Sequence, residues 1–214
     1  MEEFMREAGR IKAATVISAL HRRQMEGFYF DNANQVLNWI KENLPVESSV
    51  SWGDSHTLES LGIKDYFRAD PQYKVIDREA AGQDIAQRTE IMRRALSCDY
   101  YLTSSNAITL NGELVNIDGR GNRCAALCFG PEHVIAVVGI NKITADVDSA
   151  IKRIRTDACT ANALRHNLGT PCGLTGKCGN CTHVDCMCCQ ILVTRFNKVP
   201  GRITVLLVGD ILGF

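Results

Sequence analysis

Apolar residues recur at helical spacing along two segments at the start of the chain. One stripe lies within Glu7–Met25, and the other follows Asp31 and ends at Leu44, before Pro45. The residues of the first stripe are Ile11, Ala14, Ile17 and Leu20. These patterns predict that residues 3–44 are helical, with Asp31 capping the second helix. No chemistry is predicted for this arm, which we expect to pack on the core or on a second subunit.

Short apolar runs that suit β-strands alternate with helical stretches from residue 46 onward. His133–Ile140 is apolar throughout, as expected of a strand that is buried on both faces. Ile108–Ile117 predicts a hairpin, because Asn111 and Gly112 form a favoured two-residue turn. The other predicted strands are Val50–Trp52, Tyr73–Ile76, Tyr100–Leu102, Ile191–Val193 and Ile203–Val208.

The alternation of strands and helices predicts an α/β protein with a mostly parallel sheet flanked by helices. One helix begins at Thr57, one covers Glu79–Ala95 with Ile85 facing inward, and the longest covers Ala145–His166. The 214 residues suit a single domain. Its predicted parts are an N-terminal helical arm (1–45), an α/β core (46–168), a cysteine-rich loop (169–190) and closing strands (191–214).

The composition is that of an ordinary globular protein, with 45% apolar and 22% charged residues. Because the formal net charge is zero, there is no electrostatic argument for binding nucleic acid or a membrane surface. No apolar run reaches the roughly 18 residues of a transmembrane helix. The N-terminus, MEEFMREAGRIK, lacks the basic and then apolar layout of a signal peptide. We therefore expect a cytoplasmic protein that binds neither nucleic acid nor membranes.

Six of the ten cysteines are concentrated in one glycine-containing loop. They are Cys172, Cys178, Cys181, Cys186, Cys188 and Cys189. This density of thiols suits a soft metal, because each thiolate can approach the metal from a different direction. Cys178 and Cys181 form the usual close pair, and Cys172 with Cys186 or Cys188 would complete a shell of four sulfurs. Disulfides are the alternative, which a reducing cytoplasm disfavours.

The spacing of these cysteines does not distinguish zinc from a [4Fe-4S] cluster, because both accept four thiolates. His183 lies inside the loop and is a reserve ligand for zinc. The other four cysteines lie in mixed or apolar segments and are predicted to be buried structural thiols. They are Cys98, Cys124, Cys128 and Cys159.

Four loops that follow predicted strands carry small or polar residues that suit an anionic small molecule. Ligands of parallel sheets bind beyond the carboxyl ends of the strands, so these loops are the predicted substrate-binding site. Arg123 can hold a carboxylate with its planar fork, and Lys142 can neutralise an anion. The predicted residues are Gly53, Ser55, His56 and Thr57; Ser105 and Asn106; Asp118, Gly119, Gly121, Asn122 and Arg123; and Asn141 and Lys142.

Each of these loops also has an interpretation without a ligand. Ser55 or Thr57 would simply cap a helix, and the other loops would be solvated turns. His56 is a general base, a metal ligand or a histidine with no role. If Arg123 holds a carboxylate, replacing it with alanine should weaken binding without unfolding the protein. No catalytic residue is predicted.

Five stretches of the sequence resemble the LUD (lactate utilisation) domain family, in particular its stand-alone branch. In chain order they are VSWGDSHTLESLGI, IDRE, TSSNAITLNGELVNIDGRGNRCAAL, GPEHVIAVVGINKIT and TPCGLTGKCGNC. The resemblance covers the chain from about Ile17 to its end. It implies a fold of the NagB/RpiA/CoA transferase-like type with the ligand on the four loops. It also implies a link to the oxidation of lactate to pyruvate, beside iron–sulfur partners.

The resemblance also bears on individual residues. The cysteine pattern of the stand-alone branch selects Cys172, Cys178, Cys181 and Cys188 as metal ligands, although Cys186 or Cys189 could replace Cys188. Asp54 stands where a second glycine is expected, and it adds a negative charge beside the anion site. Thr160 stands where a proline is expected in the long helix, which is a packing change.

The leading hypothesis is therefore a cytoplasmic LUD protein that serves the oxidation of lactate or a related hydroxy acid. Its cofactor would be a [4Fe-4S] cluster or zinc, and its partners a small carboxylate or other anion and iron–sulfur oxidoreductase subunits. One alternative is a non-catalytic binding or assembly subunit with a structural zinc. A weaker one is a transferase or isomerase for a sugar phosphate or acyl-CoA. The N-terminal helices and Ile203–Val208 are each suited to forming a homodimer.

Overall fold

The strands form two sheets in this computed structural model, which describes residues 2–214. The strands are β1 Glu26–Phe30, β2 Ser49–Trp52, β3 Lys74–Ile76, β4 Tyr100–Thr103, β5 Ala107–Thr109, β6 Leu114–Asp118, β7 His133–Gly139, β8 Ile143–Thr144, β9 Gln190–Thr194 and β10 Ile203–Val208. The larger sheet has the order β1-β10-β7-β4-β2-β3 and is parallel throughout. The smaller sheet has the order β8-β5-β6-β9 and is mixed. Met1, the first residue of the predicted arm, lies outside the described residues.

Helices cover the sheets and connect their strands. They are α1 Glu2–Arg22, α2 Asn34–Asn43, α3 His56–Ser60, α4 Ile63–Ala69, α5 Ile85–Arg94, α6 Asn122–Cys128, α7 Val147–Arg153, α8 Cys159–Arg165 and α9 Pro171–Thr175. Short 3₁₀ turns lie at Arg78–Ala81, Ala95–Ser97 and Ile140–Lys142, and a π turn at Ile154–Ala158 joins α7 to α8. Among residues 2–214, no helix combines the length and the apolar character that a membrane span needs.

Alternation along β7 sends its side chains into two hydrophobic cores, one on each face of the larger sheet. Val134, Ala136 and Val138 join the core that contains α1. Ile135 and Val137 join the core that contains α2, α3 and α4. The predicted α/β fold is therefore confirmed, and β7 is buried on both faces from Val134 to Gly139, as the apolar composition of this segment indicates.

The smaller sheet contains the predicted hairpin. Strands β5 and β6 pair in antiparallel fashion, and the connection between them places Gly112 at a φ of +82°. Ala107 and Val115 of this sheet pack against Ala150 and Ile154 from the helical segment that follows β8. The hairpin is confirmed, but its turn is longer than the predicted two residues, because Thr109 N–H bonds to the Glu113 carbonyl oxygen across Leu110, Asn111 and Gly112.

Strand β1 shows that the prediction of helix throughout residues 3–44 is wrong. It pairs in parallel with β10 and forms one edge of the larger sheet. The helical interpretation fails here because β10 offers a row of backbone N–H and C=O groups, and pairing satisfies the groups of both strands. Strand β10 is consequently paired on both sides and largely buried, so Ile203–Val208 is not free to form a dimer.

Two predicted helix starts are also wrong. The N-cap of α2 is Ala33, and the Asp31 carboxylate accepts a hydrogen bond from Arg10 Nε at 2.9 Å instead. The predicted helix Glu79–Ala95 is divided, because Gly82 takes a φ of +55° and Asp84 caps a new helix. Ile85, the first residue of the new helix α5, is consequently 63% exposed rather than inward-facing.

The segment predicted as the longest helix is helical but not uniform. The π turn Ile154–Ala158 interrupts it and sets the position of Cys159 at the start of α8. Helix α1, with 21 residues, is the longest helix of the described chain. Insertions of π geometry within helices often accompany functional sites, and this one borders the cysteine loop.

We predict that Gly112→Ala destabilises the protein more than Gly201→Ala. Both glycines have positive φ, which costs an alanine about 1–2 kcal/mol. A Cβ on Gly112 would also lie 3.0 Å from the backbone of Ala19 and Leu20 in α1, whereas a Cβ on Gly201 meets nothing within 4 Å. Overpacking should add about 1–3 kcal/mol to the loss for Gly112→Ala. Urea unfolding of both variants measures the difference, and equal losses would contradict it.

Candidate functional site

A cavity of about 670 Å³ lies at the carboxyl ends of the central strands. The loops after β2, β4, β7 and β10 of the larger sheet and after β6 of the smaller sheet all reach it. Its wall therefore contains ten of the thirteen predicted substrate-binding residues. They are Ser55, His56, Thr57, Ser105, Asn106, Asp118, Gly119, Asn122, Arg123 and Lys142.

The other three predicted residues lie behind the wall of this cavity and shape it. A Cβ on Gly53 would lie 3.1 Å from Arg123 Cδ, so the glycine leaves room for the arginine stem. Gly121 is the N-cap of α6 and takes a φ of +83°. Asn141 Oδ1 accepts a hydrogen bond from the backbone N–H of Leu212 at 3.1 Å.

Lys142 is the most deeply buried cation of the cavity wall, with 3% of its surface exposed. Its Nζ donates hydrogen bonds to Thr57 Oγ1 at 3.2 Å and to Ser104 Oγ at 3.0 Å, both of which are neutral hydroxyls. Burial, together with the positive charges of Arg153 and Arg123, lowers the pKa of Lys142 to about 7. An anion in the cavity would offset the cost of burying this charge.

The Arg123 guanidinium is held by oxygen atoms of the protein. Its Nη1 donates to Asn116 Oδ1 and, at 3.3 Å, to the Ser104 carbonyl oxygen. Its Nη2 donates to Asn106 Oδ1 and to the Ile117 carbonyl oxygen, both at 2.7 Å. These contacts tie the loop after β4 to strand β6. Arg123 therefore positions the loops, and most of the N–H donors of its guanidinium are already used in hydrogen bonds to the protein.

Asp118 has a structural partner in the same loop. Its Oδ2 accepts hydrogen bonds from the backbone N–H groups of Arg123 at 2.9 Å and Cys124 at 3.2 Å, at the start of α6. Ser55 acts similarly for α3 by accepting from the Leu58 N–H at 3.3 Å. The capping interpretation of Ser55 therefore holds, whereas the role of Asp118 at the start of α6 was not predicted; both residues still lie on the cavity wall.

The cavity wall carries six cationic side chains and three carboxylates, an excess of positive charge that would attract anions. The cations are Arg78, Arg88, Arg120, Arg123, Lys142 and Arg165, and the carboxylates are Asp54, Asp118 and Asp185. Arg78 follows strand β3, so the rule that placed the four loops could also have found it. Arg88 and Arg165 come from helices, and their sequence context carries no sign of the cavity.

The negative charge that Asp54 brings to the site is neutralised within the protein. Its Oδ1 lies 3.1 Å from Arg165 Nη2, and its Oδ2 lies 3.0 Å from His166 Nε2. Burial alone would raise the pKa of Asp54, but Arg165, Arg78 and His166 outweigh it and the pKa is lowered. Asp54 in place of the expected glycine therefore does not cancel the excess of positive charge on the cavity wall.

The last residues of the sequence also form part of the cavity wall. The ring of Phe214 stacks on that of His56, with centroids 5.2 Å apart and an interplanar angle of 17°. His56 Nδ1 lies 3.6 Å from a Glu59 carboxylate oxygen. A Cβ on Gly213 would lie 3.3 Å from Lys142 Nζ, so this glycine leaves the lysine its space.

A second cavity, of about 40 Å³, is surrounded by thiols. Its wall holds the four predicted metal ligands together with two other cysteines, which makes six in all. They are Cys159, Cys172, Cys178, Cys181, Cys186 and Cys188. Cys189 is exposed and lies on the wall of the larger cavity instead. His183 Nδ1 accepts a hydrogen bond from the Asp185 N–H at 3.1 Å.

Cys159 is buried, as predicted for a structural thiol, but the sequence did not place it beside the thiols of the cysteine loop. Its Sγ lies 3.2 Å from Cys188 Sγ. This hydrogen bond lowers the pKa of Cys159 and raises that of Cys188. Cys98 and Cys124 are buried as predicted, whereas Cys128 is exposed, which contradicts the prediction. All ten cysteines are free thiols.

The two cavities share part of their walls. Cys159, Cys186 and Met187 line both of them. Met187 also packs on Gly119, where a Cβ would lie 3.4 Å from Met187 Cα. The cysteine loop therefore forms one side of the larger cavity and also contributes most of the thiols of the smaller one.

Comparison with known proteins agrees with this architecture. The LUD domain family model matches residues 13–208 of the chain. The chain is similar in structure to a crystal structure of a DUF162 family protein from Deinococcus radiodurans, with a TM-score of 0.52 and 13% sequence identity. The alignment covers 94% of this chain and 97% of that one, and at this identity it shows the fold alone. No curated protein matches the chain in sequence.

We predict that Arg123→Ala destabilises the protein by about 2–4 kcal/mol, because four buried or half-buried oxygen atoms lose their charged donor. This replaces the expectation that the substitution would leave the fold intact. Arg120→Ala is the matched control from the same exposed loop and should change the free energy of unfolding by less than about 0.5 kcal/mol. Chemical unfolding of both variants provides the measurement. Equal stabilities would show that the Arg123 contacts contribute little.

Proposed function

The chain belongs to the LUD domain family, which is involved generally in lactate utilisation, and from this premise we propose a more specific role. We propose that the larger cavity binds a small carboxylate and that the protein serves the oxidation of a hydroxy acid such as lactate. The observation that carries this proposal is the wall that the anion cavity shares with the thiol cavity at Cys159, Cys186 and Met187. A site for the substrate thereby adjoins a site for a redox-active metal group.

The charges of the larger cavity support the carboxylate as its ligand. Six cationic side chains face three carboxylates, and one of those carboxylates, Asp54, is already paired with Arg165. Lys142 is the leading candidate for the direct contact, because its Nζ has only hydroxyl partners at Thr57 and Ser104. These two hydroxyls can reorient to donate to the same carboxylate.

The thiol cavity suits an iron–sulfur cluster better than a single zinc ion. In a tetrahedral zinc site, bonds of about 2.3 Å hold the sulfurs about 3.8 Å apart. Among residues 2–214, no three cysteine sulfurs lie within 4.8 Å of one another. No compact zinc shell is therefore preformed by these sulfurs, and a [4Fe-4S] cluster, where each thiolate binds a different iron, does not need one. Cys172, Cys178 and Cys181 would be ligands, and the cluster would supply single-electron transfer when bound.

The remaining parts of the proposal follow from the reaction. Oxidation of lactate to pyruvate releases two protons, which go to water, and two electrons, which need an acceptor. We propose iron–sulfur oxidoreductase subunits as the partners that accept these electrons. A reducing cytoplasm is the proposed compartment, because thiols that bind a metal have to remain free of disulfides.

We predict that the affinity for L-lactate falls as the pH rises through about 7. Lys142 is charged below this pKa and neutral above it, and only the charged amine attracts a carboxylate. Between pH 6 and pH 8 the charged fraction, and with it the affinity, should fall about tenfold. Isothermal titration calorimetry on wild-type protein at several pH values measures this dependence.

The variant Lys142→Met should bind L-lactate weakly at every pH and lose the pH dependence. Lys152→Met, which removes an exposed lysine of α7, is the matched control and should behave like the wild type. Unchanged affinity in Lys142→Met would remove this lysine from the binding site.

We predict that the double variant Cys178→Ser/Cys181→Ser loses its metal. Protein purified without oxygen should contain about four irons with matching acid-labile sulfide in the wild type and little of either in the variant. Cys128→Ser replaces an exposed cysteine outside the loop and should keep the full content. One zinc and no sulfide in the wild type would instead indicate a structural metal and a non-catalytic binding subunit. A metal-free wild type would overturn the metal site itself.

A further inference from the structure

We propose that Cys159 is a ligand of the metal group in the thiol cavity and occupies the fourth position, beside Cys172, Cys178 and Cys181. This inference rests on the metal site of the proposed function. It differs from the family pattern, which selects Cys188, and it assigns a ligand that lies outside the cysteine loop. The donor set would then join a helix of the core to the loop.

The position of Cys159 in the thiol cavity is the first observation behind this proposal. Five of the six cysteines on the cavity wall belong to the loop, whereas Cys159 is the first residue of α8. Its side chain points into the same cavity, and its Sγ lies 3.2 Å from that of Cys188. Either sulfur therefore lies where it could serve as the fourth ligand, the position that the family pattern gives to Cys188.

The rigidity of its surroundings favours Cys159 over Cys188 as the fourth ligand. Cys159 is buried, with 7% of its surface exposed, and it belongs to a core cluster with Ile154, Ala158 and Ile117. Cys188 lies in a segment between α9 and β9 without regular secondary structure. A thiol fixed by helix packing has less conformational entropy to lose when it binds a metal.

The short separation of the two sulfurs indicates that they do not serve as two neighbouring ligands of one ion. Sulfurs on a single tetrahedral ion lie about 3.8 Å apart, which is wider than the 3.2 Å between Cys159 and Cys188. One of them binds and the other donates its S–H to the bound sulfur. This arrangement resembles the outer hydrogen bonds that stabilise thiolate ligands in other metal sites.

The test compares Cys159→Ser with Cys188→Ser after purification without oxygen. Iron, zinc and sulfide content should fall well below the wild-type value in Cys159→Ser, with metal affinity lowered at least about tenfold, and the visible absorption should fall with it. Cys188→Ser should keep its metal and its spectrum. Cys98→Ser and Cys124→Ser replace buried thiols away from the cavity and control for the loss of a buried sulfur.

Circular dichroism shows whether each variant is folded, and a measurement on the wild type covers the case in which Cys159→Ser is not. Cys159 lines the larger cavity, through which a small alkylating reagent would approach it. Mass spectrometry should find Cys159 protected in metal-loaded protein and modified after chelation, with Cys98 unmodified in both. Equal modification of Cys159 in the two states, or full metal content in Cys159→Ser, would overturn this inference alone. A wild type without metal would overturn it together with the proposed metal site.

Discussion

The six strands of the larger sheet all run in one direction, and the site depends on this constraint. Parallel pairing sets neighbouring strands about 4.8 Å apart, so the loops that leave their carboxyl ends cannot separate. Five adjacent strands thereby deliver Arg78, Ser55, Ser104, Lys142 and Phe214 to one edge. The cavity is a property of the sheet, and the side chains on each loop decide what it binds.

Gathering cations at one edge carries an electrostatic cost that the protein meets in three ways. Arg123 donates hydrogen bonds to oxygen atoms of four neighbouring groups, and Arg165 forms an ion pair with the carboxylate of Asp54. Within the described chain, Lys142 donates hydrogen bonds only to hydroxyl groups, and burial lowers its pKa. Among these three cations, Lys142 is the one that contacts only hydroxyl groups, which supports its proposed role as the binding group.

The fold and the four loops could be predicted because short-range patterns encode them. A doubly buried strand is apolar throughout, and polar loops after such strands meet at one edge. Strand β1 escaped prediction because its hydrogen-bonding partner, β10, lies at the other end of the sequence. The positions of Cys159 and Arg165 at the cavities could not be predicted, for a related reason. Both belong to α8, and only tertiary packing turns that helix toward the cavities.

The wall that the two cavities share has a consequence for how the protein is assembled in the cell. Loop residues such as Cys186 and Met187 form one side of the larger cavity, so a metal that fixes the loop would also fix this side of the cavity. By thermodynamic reciprocity, a metal that raises the affinity for the anion is itself held more tightly when the anion is present. Under the proposed function, metal insertion would then act as a checkpoint, since chains without the metal would leave the anion free for chains that hold it.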